Sequence, residues 1–283
     1  MIGITGATGQ LGQLTIKNLL NKIPADTIVS LVRSPEKAKQ LNPGIEARAF
    51  NYDTPETLEH GLRGITTLFL ISGSEVGSRL PQHTNVINAA KKVGVSHIVY
   101  TSLLRADTSK LALAEEHKAT EQLIKESGIP YVILRNGWYS ENYLQGVQAV
   151  IDSGVLAGAA GYGRIDTATR NDYAEAAAVV LNHVSQHVGN VYELAGDASF
   201  TLQGYADAIS AVTGKDIAYH PMTPDEYQHF LTDVAGLPAG LAGVLANSEQ
   251  YAKEGDLSGS SNTLHELIGR ATPSITDLIK QAI

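Results

Sequence analysis

The chain has 283 residues, 43% hydrophobic and 18% charged, with 27 Gly and 10 Pro, which excludes disordered, collagen-like and coiled-coil readings and suits one or two α/β domains. Its formal net charge is −8 with no basic run, so nucleic acid is not expected as a main partner. It holds no cysteine, which removes disulfides, thiolate nucleophiles, iron–sulfur clusters and Cys-ligated zinc.

Taken in chain order, Ile2–Thr5 reads as a strand, with no charged leader or cleavage site before it. No apolar run reaches the ~18 residues of a membrane helix, and a cytoplasmic protein is expected. Directly after the strand comes Gly6, Ala7, Thr8, Gly9, Gln10, Leu11 and Gly12, a G-x-x-G-x-x-G turn that opens a helix. Glycines there let the backbone bend sharply and let a pyrophosphate approach backbone N–H groups at the positive end of the helix. A glycine-rich turn without a ligand is the plainer alternative. The helix follows with Leu11, Leu14, Ile16, Leu19 and Leu20 at helical spacing.

The second predicted strand, Thr27–Val32, ends on Arg33 rather than on a carboxylate. A guanidinium at this place suits the 2′-phosphate of NADPH, whereas an acid would suit the ribose of NADH. Further short apolar runs fall at Ile45–Phe50, Thr66–Ile71, His97–Thr101 and Tyr131–Leu134, with helical patterns between them. This alternation predicts an α/β, Rossmann-like, doubly wound parallel sheet.

Beyond about residue 135 the alternation weakens. Strands are predicted at Val191–Ala195 and Ile217–Tyr219, with a helix over Leu202–Val212. Further helices are predicted near 223–235, 238–250, 261–268 and 274–282, and Gly- and Ser-rich breaks at Gly154–Gly163 and Gly255–Ser261. The expected organisation is a dinucleotide domain over 1–150, its sheet completed by 186–196, and a smaller, mostly helical substrate-side domain over 151–283. Leu231–Tyr251, with Gly236, Pro238, Gly240 and Gly243, is either a lid or ordinary helix packing.

Several catalytic patterns are missing. None of the 12 tyrosines has Lys four residues later, so the phenol–lysine pair of typical short-chain dehydrogenases is absent. There is no Gly-x-Ser-x-Gly elbow and no His-Glu-x-x-His. His183 and His187 share a helix face without a carboxylate beside them, and no metal site is expected.

With these residues on the page, the chain resembles the NmrA-like atypical short-chain dehydrogenase/reductases over essentially its whole length. The resemblance rests on Thr5–Gly12, Val32-Arg33, Leu70–Gly77, Tyr100–Leu104, Ala106–Ser109, Leu134–Tyr143 and Ala168–Arg170 with Asp172–Ala174. It implies that Gly6, Ala7, Thr8, Gly9, Gln10 and Leu11 hold the pyrophosphate and Arg33 the 2′-phosphate. Ser72, Gly73 and Ser74 would pass the nicotinamide-side ribose. Gly137, Trp138, Tyr139, Ser140, Glu141 and Asn142 would wrap the nicotinamide end, and Arg170 would reach toward cofactor or substrate. Trp138 is otherwise a core aromatic, and Arg170 a salt-bridged surface residue.

Members of the group carry a Lys in the helix after the fifth strand. Counted back from Gly128–Tyr131, this chain has His117 there, with Lys118 beside it. His117 is either a proton donor or a satisfied buried histidine. The implied activity is hydride transfer from NADPH to a quinone-like small molecule, without flavin, metal or membrane. The rival is a dinucleotide-binding redox sensor without turnover, and a nucleotide-sugar epimerase or dehydratase ranks below both. A homodimer is an option the sequence leaves open.

Overall fold

The computed structural model describes residues 1–73, 75–259 and 261–283. The chain begins with β1 (Ile2–Thr5), α1 (Gln10–Leu20), β2 (Ile28–Val32), α2 (Pro35–Leu41), β3 (Glu46–Ala49), α3 (Pro55–Gly61) and β4 (Thr67–Leu70). It continues with α4 (Arg79–Val93), β5 (His97–Leu103), α5 (Ala114–Ser127), β6 (Tyr131–Asn136), α6 (Glu141–Leu144) and α7 (Val147–Ser153). Next come β7 (Val155–Gly158), β8 (Ile165–Asp166), α8 (Arg170–Asn182), α9 (Val184–His187) and β9 (Val191–Leu194). The remainder is β10 (Ser199–Phe200), α10 (Leu202–Thr213), β11 (Ala218–Pro221), α11 (Pro224–His229), α12 (Ala239–Ala252), α13 (Thr263–Ile268) and α14 (Ile275–Ala282).

Seven strands form one sheet in the order β3-β2-β1-β4-β5-β6-β9. Pairings from β1 to β6 are all parallel. The central strands are apolar on consecutive positions, as in Ile28–Val32 and Thr67–Leu70, and every residue of these two strands is buried. Strands covered on both faces need no polar alternation. Their core includes Val29, Leu31, Phe50, Leu68, Ile98, Tyr100 and Ile133. This is the α/β Rossmann-like architecture. Strand order reverses between β1 and β4, and in such sheets the ligand crevice lies beyond the carboxyl ends of the strands at that reversal.

The chain divides into two compact units. The first holds residues 1–106, 115–136 and 170–192, and the second holds 107–114, 137–169 and 193–283. The chain crosses between the units five times, and the expected boundary at residue 150 coincides with none of these crossings. The reason is α8, which returns to the first unit and lies against α1, with Asn18 Nδ2 donating to Asn171 Oδ1 at 3.3 Å.

In the second unit, the expected break at Gly154–Gly163 holds a strand. β7 pairs in parallel with β11, and Gly154 closes α7 at φ +71°. Gly158 is a packing glycine, because a Cβ there would lie 2.4 Å from Leu202 Cδ1. Tyr143, Phe200 and Tyr205 form an aromatic cluster in this unit, with ring centroids 5.4–5.8 Å apart. The 231–251 stretch begins in a π-helical turn over Phe230–Val234 and continues into α12, which buries Ala242, Ala246, Ser248, Glu249 and Ala252. Among the described residues no helix is long and apolar enough to cross a membrane.

Candidate functional site

The glycine turn sits at the carboxyl end of β1. Gly6 adopts φ +58°, the left-handed region that only glycine enters freely. Its carbonyl accepts from Gly9 N–H at 2.8 Å, and Gln13 Nε2 braces the turn by donating to Thr8 O at 2.9 Å. A Cβ on Gly12 would stand 2.4 Å from Gly6 O and 2.8 Å from Ala7 Cα, so the helix packs against the turn at backbone contact. α1 has Gly9 as its N-cap, no side-chain cap and no acidic residue in its first turn. Its leading N–H groups are therefore offered outward without a competing carboxylate, which fits a pyrophosphate.

The segment after β4 lies beside this turn, since the missing Cβ of Gly6 points at Ile71 Cβ, 3.7 Å away. Strands β1 and β5 and helix α4 tie it down. Ile71 N donates to Thr5 Oγ1 at 2.9 Å, and Ser72 N donates to Thr101 Oγ1 at 2.9 Å. Gly73 N donates to His83 Nε2 at 3.2 Å, while Arg79 Nε donates to Gly73 O at 2.9 Å. Farther along, Gly77 N donates to Glu116 Oε1 at 3.1 Å. The structure thus brings Ser72 and Gly73 to the glycine turn. Ser74 lies outside the described residues.

Arg33 follows β2 and is largely exposed. Its guanidinium donates to Glu75 Oε1 at 3.3 Å. It also lies near Tyr52, whose phenol burial pushes up to about 12, with Thr5 and Arg33 acting in the opposite direction. A carboxylate does reach the arginine, but from the segment after β4 rather than from the strand end where sequence reasoning looked.

His117 lies in α5, whose buried face is partly polar: His117, Thr120 and Glu121 face inward beside Ala114 and Ile124. His83 Nε2 accepts from Gly73 N–H, so its proton sits on Nδ1, which donates to Thr120 Oγ1 at 3.0 Å. Tyr100 Oη meets His117 Nδ1 at 2.8 Å. Burial holds the Tyr100 phenol protonated, which leaves it an O–H to donate. In the tautomer where that O–H donates to His117 Nδ1, the His117 proton sits on Nε2. Burial, reinforced by Arg79, pushes His83 down to about 3 and His117 well below the usual imidazole range. Both rings are neutral at physiological pH.

Gly137, Trp138, Tyr139, Ser140, Glu141 and Asn142 leave the carboxyl end of β6 and belong to the second unit. There Ser140 N donates to Ala168 O at 3.0 Å, Ser140 Oγ donates to Thr167 Oγ1 at 2.8 Å, and Tyr139 forms a parallel bridge with Ala168. Trp138 is buried. Arg170 opens α8 in the first unit. Of the two histidines four apart, His183 meets Asn182 Nδ2 and His187 meets Tyr192 Oη.

Sequence reasoning missed Glu75, His83 and Arg79. Glu75 lay inside a quoted stretch, yet its partner is 42 residues away in sequence, so no local pattern announces it. His83 sits in a mixed helix face with no period of its own.

The model of the NAD(P)H-binding family matches residues 6–183. Over 280 residues the chain is 49% identical to quinone oxidoreductase 2 of Escherichia coli (strain K12), covering 99% of this chain and 97% of that protein. The crystal structure of the Escherichia coli NADPH-dependent quinone oxidoreductase complexed with NADPH aligns with a TM-score of 0.95 at 48% identity, over 99% of each chain. That of the Citrobacter sp. triphenylmethane reductase complexed with NADP(H) aligns with a TM-score of 0.96 at 38% identity, over 100% of each chain.

Proposed function

The chain belongs to the NAD(P)H-binding family, and on that footing we propose that it is an NADPH-dependent oxidoreductase passing hydride to a quinone or a similarly electrophilic acceptor. The observation that carries this reading is the near-full-length likeness, in sequence and fold, to the Escherichia coli quinone oxidoreductase. In this reading the protein works in the cytoplasm without a nucleic-acid partner, and a homodimer is compatible with it.

When bound, NADPH supplies the hydride; the protein supplies binding, orientation and electrostatics. The N–H groups from Gly6 to Leu11 hold the pyrophosphate and Arg33 holds the 2′-phosphate. Ser72, Gly73 and Ser74 are assigned to the nicotinamide-side ribose. Gly137, Trp138, Tyr139, Ser140, Glu141 and Asn142 are assigned to the nicotinamide end, and Arg170 to cofactor or substrate.

The role of His117 follows from its charge. A quinone is already electrophilic, and hydride arrival yields a stabilised phenolate, so little proton transfer is needed in the transition state. A neutral imidazole with its proton on Nε2 donates a hydrogen bond to the oxygen that gains charge, and solvent delivers the proton afterwards.

Steady-state NADPH oxidation with a simple benzoquinone tests the reading. Turnover without added flavin or metal is expected. The pH profile of kcat/KM stays flat through the ordinary imidazole range, because His117 is uncharged throughout. His117→Phe lowers kcat roughly tenfold, less than the ~10²–10³ of a hydrolase oxyanion donor, and His117→Gln, which keeps an N–H, restores most of it. A break near pH 6.5 in the wild type that disappears in H117Q would overturn the neutral-donor role. Tight NADPH uptake with no turnover across a quinone panel would identify a sensor instead.

A further inference from the structure

The choice between phosphorylated and unphosphorylated dinucleotide was read from Arg33 alone, but the structure places two groups of opposite charge there. Arg33 NH1 meets Glu75 Oε1 at 3.3 Å. The sheet order puts β1 between β2 and β4, so this pair links the chain after β2 to the chain after β4, across the end of the strand that carries the glycine turn. Glu75 is not a free surface acid. Its other oxygen, Oε2, accepts from Gln82 Nε2 at 3.0 Å, and Gln82 is 5% exposed. The base of its segment is fixed by Arg79 on Gly73 O and by His83 on Gly73 N–H, and its far side by Glu116 on Gly77 N–H. The carboxylate is therefore held within reach of Arg33.

We propose that Glu75 is a specificity-determining residue which competes with the 2′-phosphate for Arg33 and so blunts the preference for NADPH over NADH. This rests on the assignment of Arg33 to the 2′-phosphate. A phosphate that takes Arg33 must displace Glu75 and then lie near a like charge, which opposes binding. The 2′-hydroxyl of NADH carries no charge and meets no such repulsion, and a carboxylate is its ordinary acceptor. Removing the negative charge of Glu75 therefore acts on one dinucleotide and spares the other. Glu75→Gln is the suitable change, because its amide oxygen still accepts from Gln82 and the segment stays anchored.

Calorimetric titration of the full chain with 2′,5′-ADP and 5′-AMP isolates the adenosine end, with NADPH and NADH as the complete ligands. In the wild type 2′,5′-ADP binds more tightly than 5′-AMP, and Arg33→Gln abolishes that difference. E75Q tightens 2′,5′-ADP and NADPH roughly fivefold at low salt. The gain shrinks as salt screens the charges, and 5′-AMP and NADH change by less than about twofold. In the R33Q background E75Q gives no gain. If E75Q leaves the 2′,5′-ADP to 5′-AMP ratio unchanged, or weakens all four ligands alike, the competition is overturned while the role of Arg33 stands. If the wild type does not prefer 2′,5′-ADP at all, the assignment of Arg33 fails and the competition with it.

Discussion

At Gly12 a single methyl group decides whether the phosphate turn can close. A Cβ would meet Gly6 O at 2.4 Å and Ala7 Cα at 2.8 Å, both backbone atoms that no side-chain rotation can clear. Gly9 is less confined, its Cβ reaching Gly6 O at 3.1 Å. Gly12→Ala therefore pushes α1 away from the turn and spoils the N–H cradle. The expected outcome is NADPH binding weakened by at least about tenfold, or ~1.4 kcal/mol, with Gly9→Ala affected less; calorimetric titration of both variants checks the order. The difference is steric, and steric need is what spacing reveals: three glycines between a strand and a helix have little other use. The place of Arg33 after β2 was legible for the same reason, since it stands at a fixed distance from that turn. Glu75 was not, because the contact that gives it meaning forms only when β2 and β4 are laid on either side of β1.

Elements are positioned by interactions that hydrophobic patterning does not predict, and α5 is the clearest case. Its inward face alternates apolar Ile124 with His117, Thr120 and Glu121. What seats it is a buried ion pair with β6: Arg135 Nε donates to Glu121 Oε1 at 2.9 Å and Nη2 to Oε2 at 2.7 Å. Ser102 of β5 adds its hydroxyl to Glu121 Oε1 at 2.6 Å. Arg135 and Ser102 are register partners in the sheet, so one carboxylate fixes the helix to two strands at once. Removing one partner of such a pair strands a buried charge, at a cost of about 3–5 kcal/mol. Glu121→Leu is expected to lose that much stability in urea unfolding, and Glu121→Leu with Arg135→Met to recover most of it. Failure of the second change to recover stability would mean that packing, not the charge, seats the helix. A polar inward face also explains why hydrophobic patterning does not single out His117, which is reached only by counting back from Gly128–Tyr131. The strand β7 was hidden in the opposite way, because its glycine serves close packing against Leu202 rather than a turn.

For the molecule as a whole, both units bury titratable groups, and their signs differ. In the first unit His83 is pushed down to about 3 by burial, and His117 is displaced in the same direction. Their contribution is complete above the unfolded imidazole value of 6.5 and is lost as pH falls toward 3. In the second unit Glu249 is pushed up to about 7 by burial. Its oxygens are occupied by Ala159 N–H, by the hydroxyl of Tyr227 and by Ala160 N–H, with Lys253 the nearby cation. Its contribution is complete below 4.5 and is lost as pH rises through 7. Between 4.5 and 6.5 the two effects oppose each other, and above 6.5 only Glu249 still changes. The displacement from 4.5 to about 7 corresponds to roughly 3 kcal/mol. Glu249→Gln removes this dependence while adding a constant penalty, since an amide offers one acceptor oxygen where the carboxyl group offers two. The constant cancels when the difference between the two proteins is followed against pH. Calorimetric melting should therefore show the Tm of E249Q gaining on the wild type by roughly 5 °C or more between pH 5 and pH 8. Parallel curves over that range would mean that Glu249 keeps an ordinary carboxyl value in the folded chain, and that the backbone N–H groups of Ala159 and Ala160 offset the burial entirely.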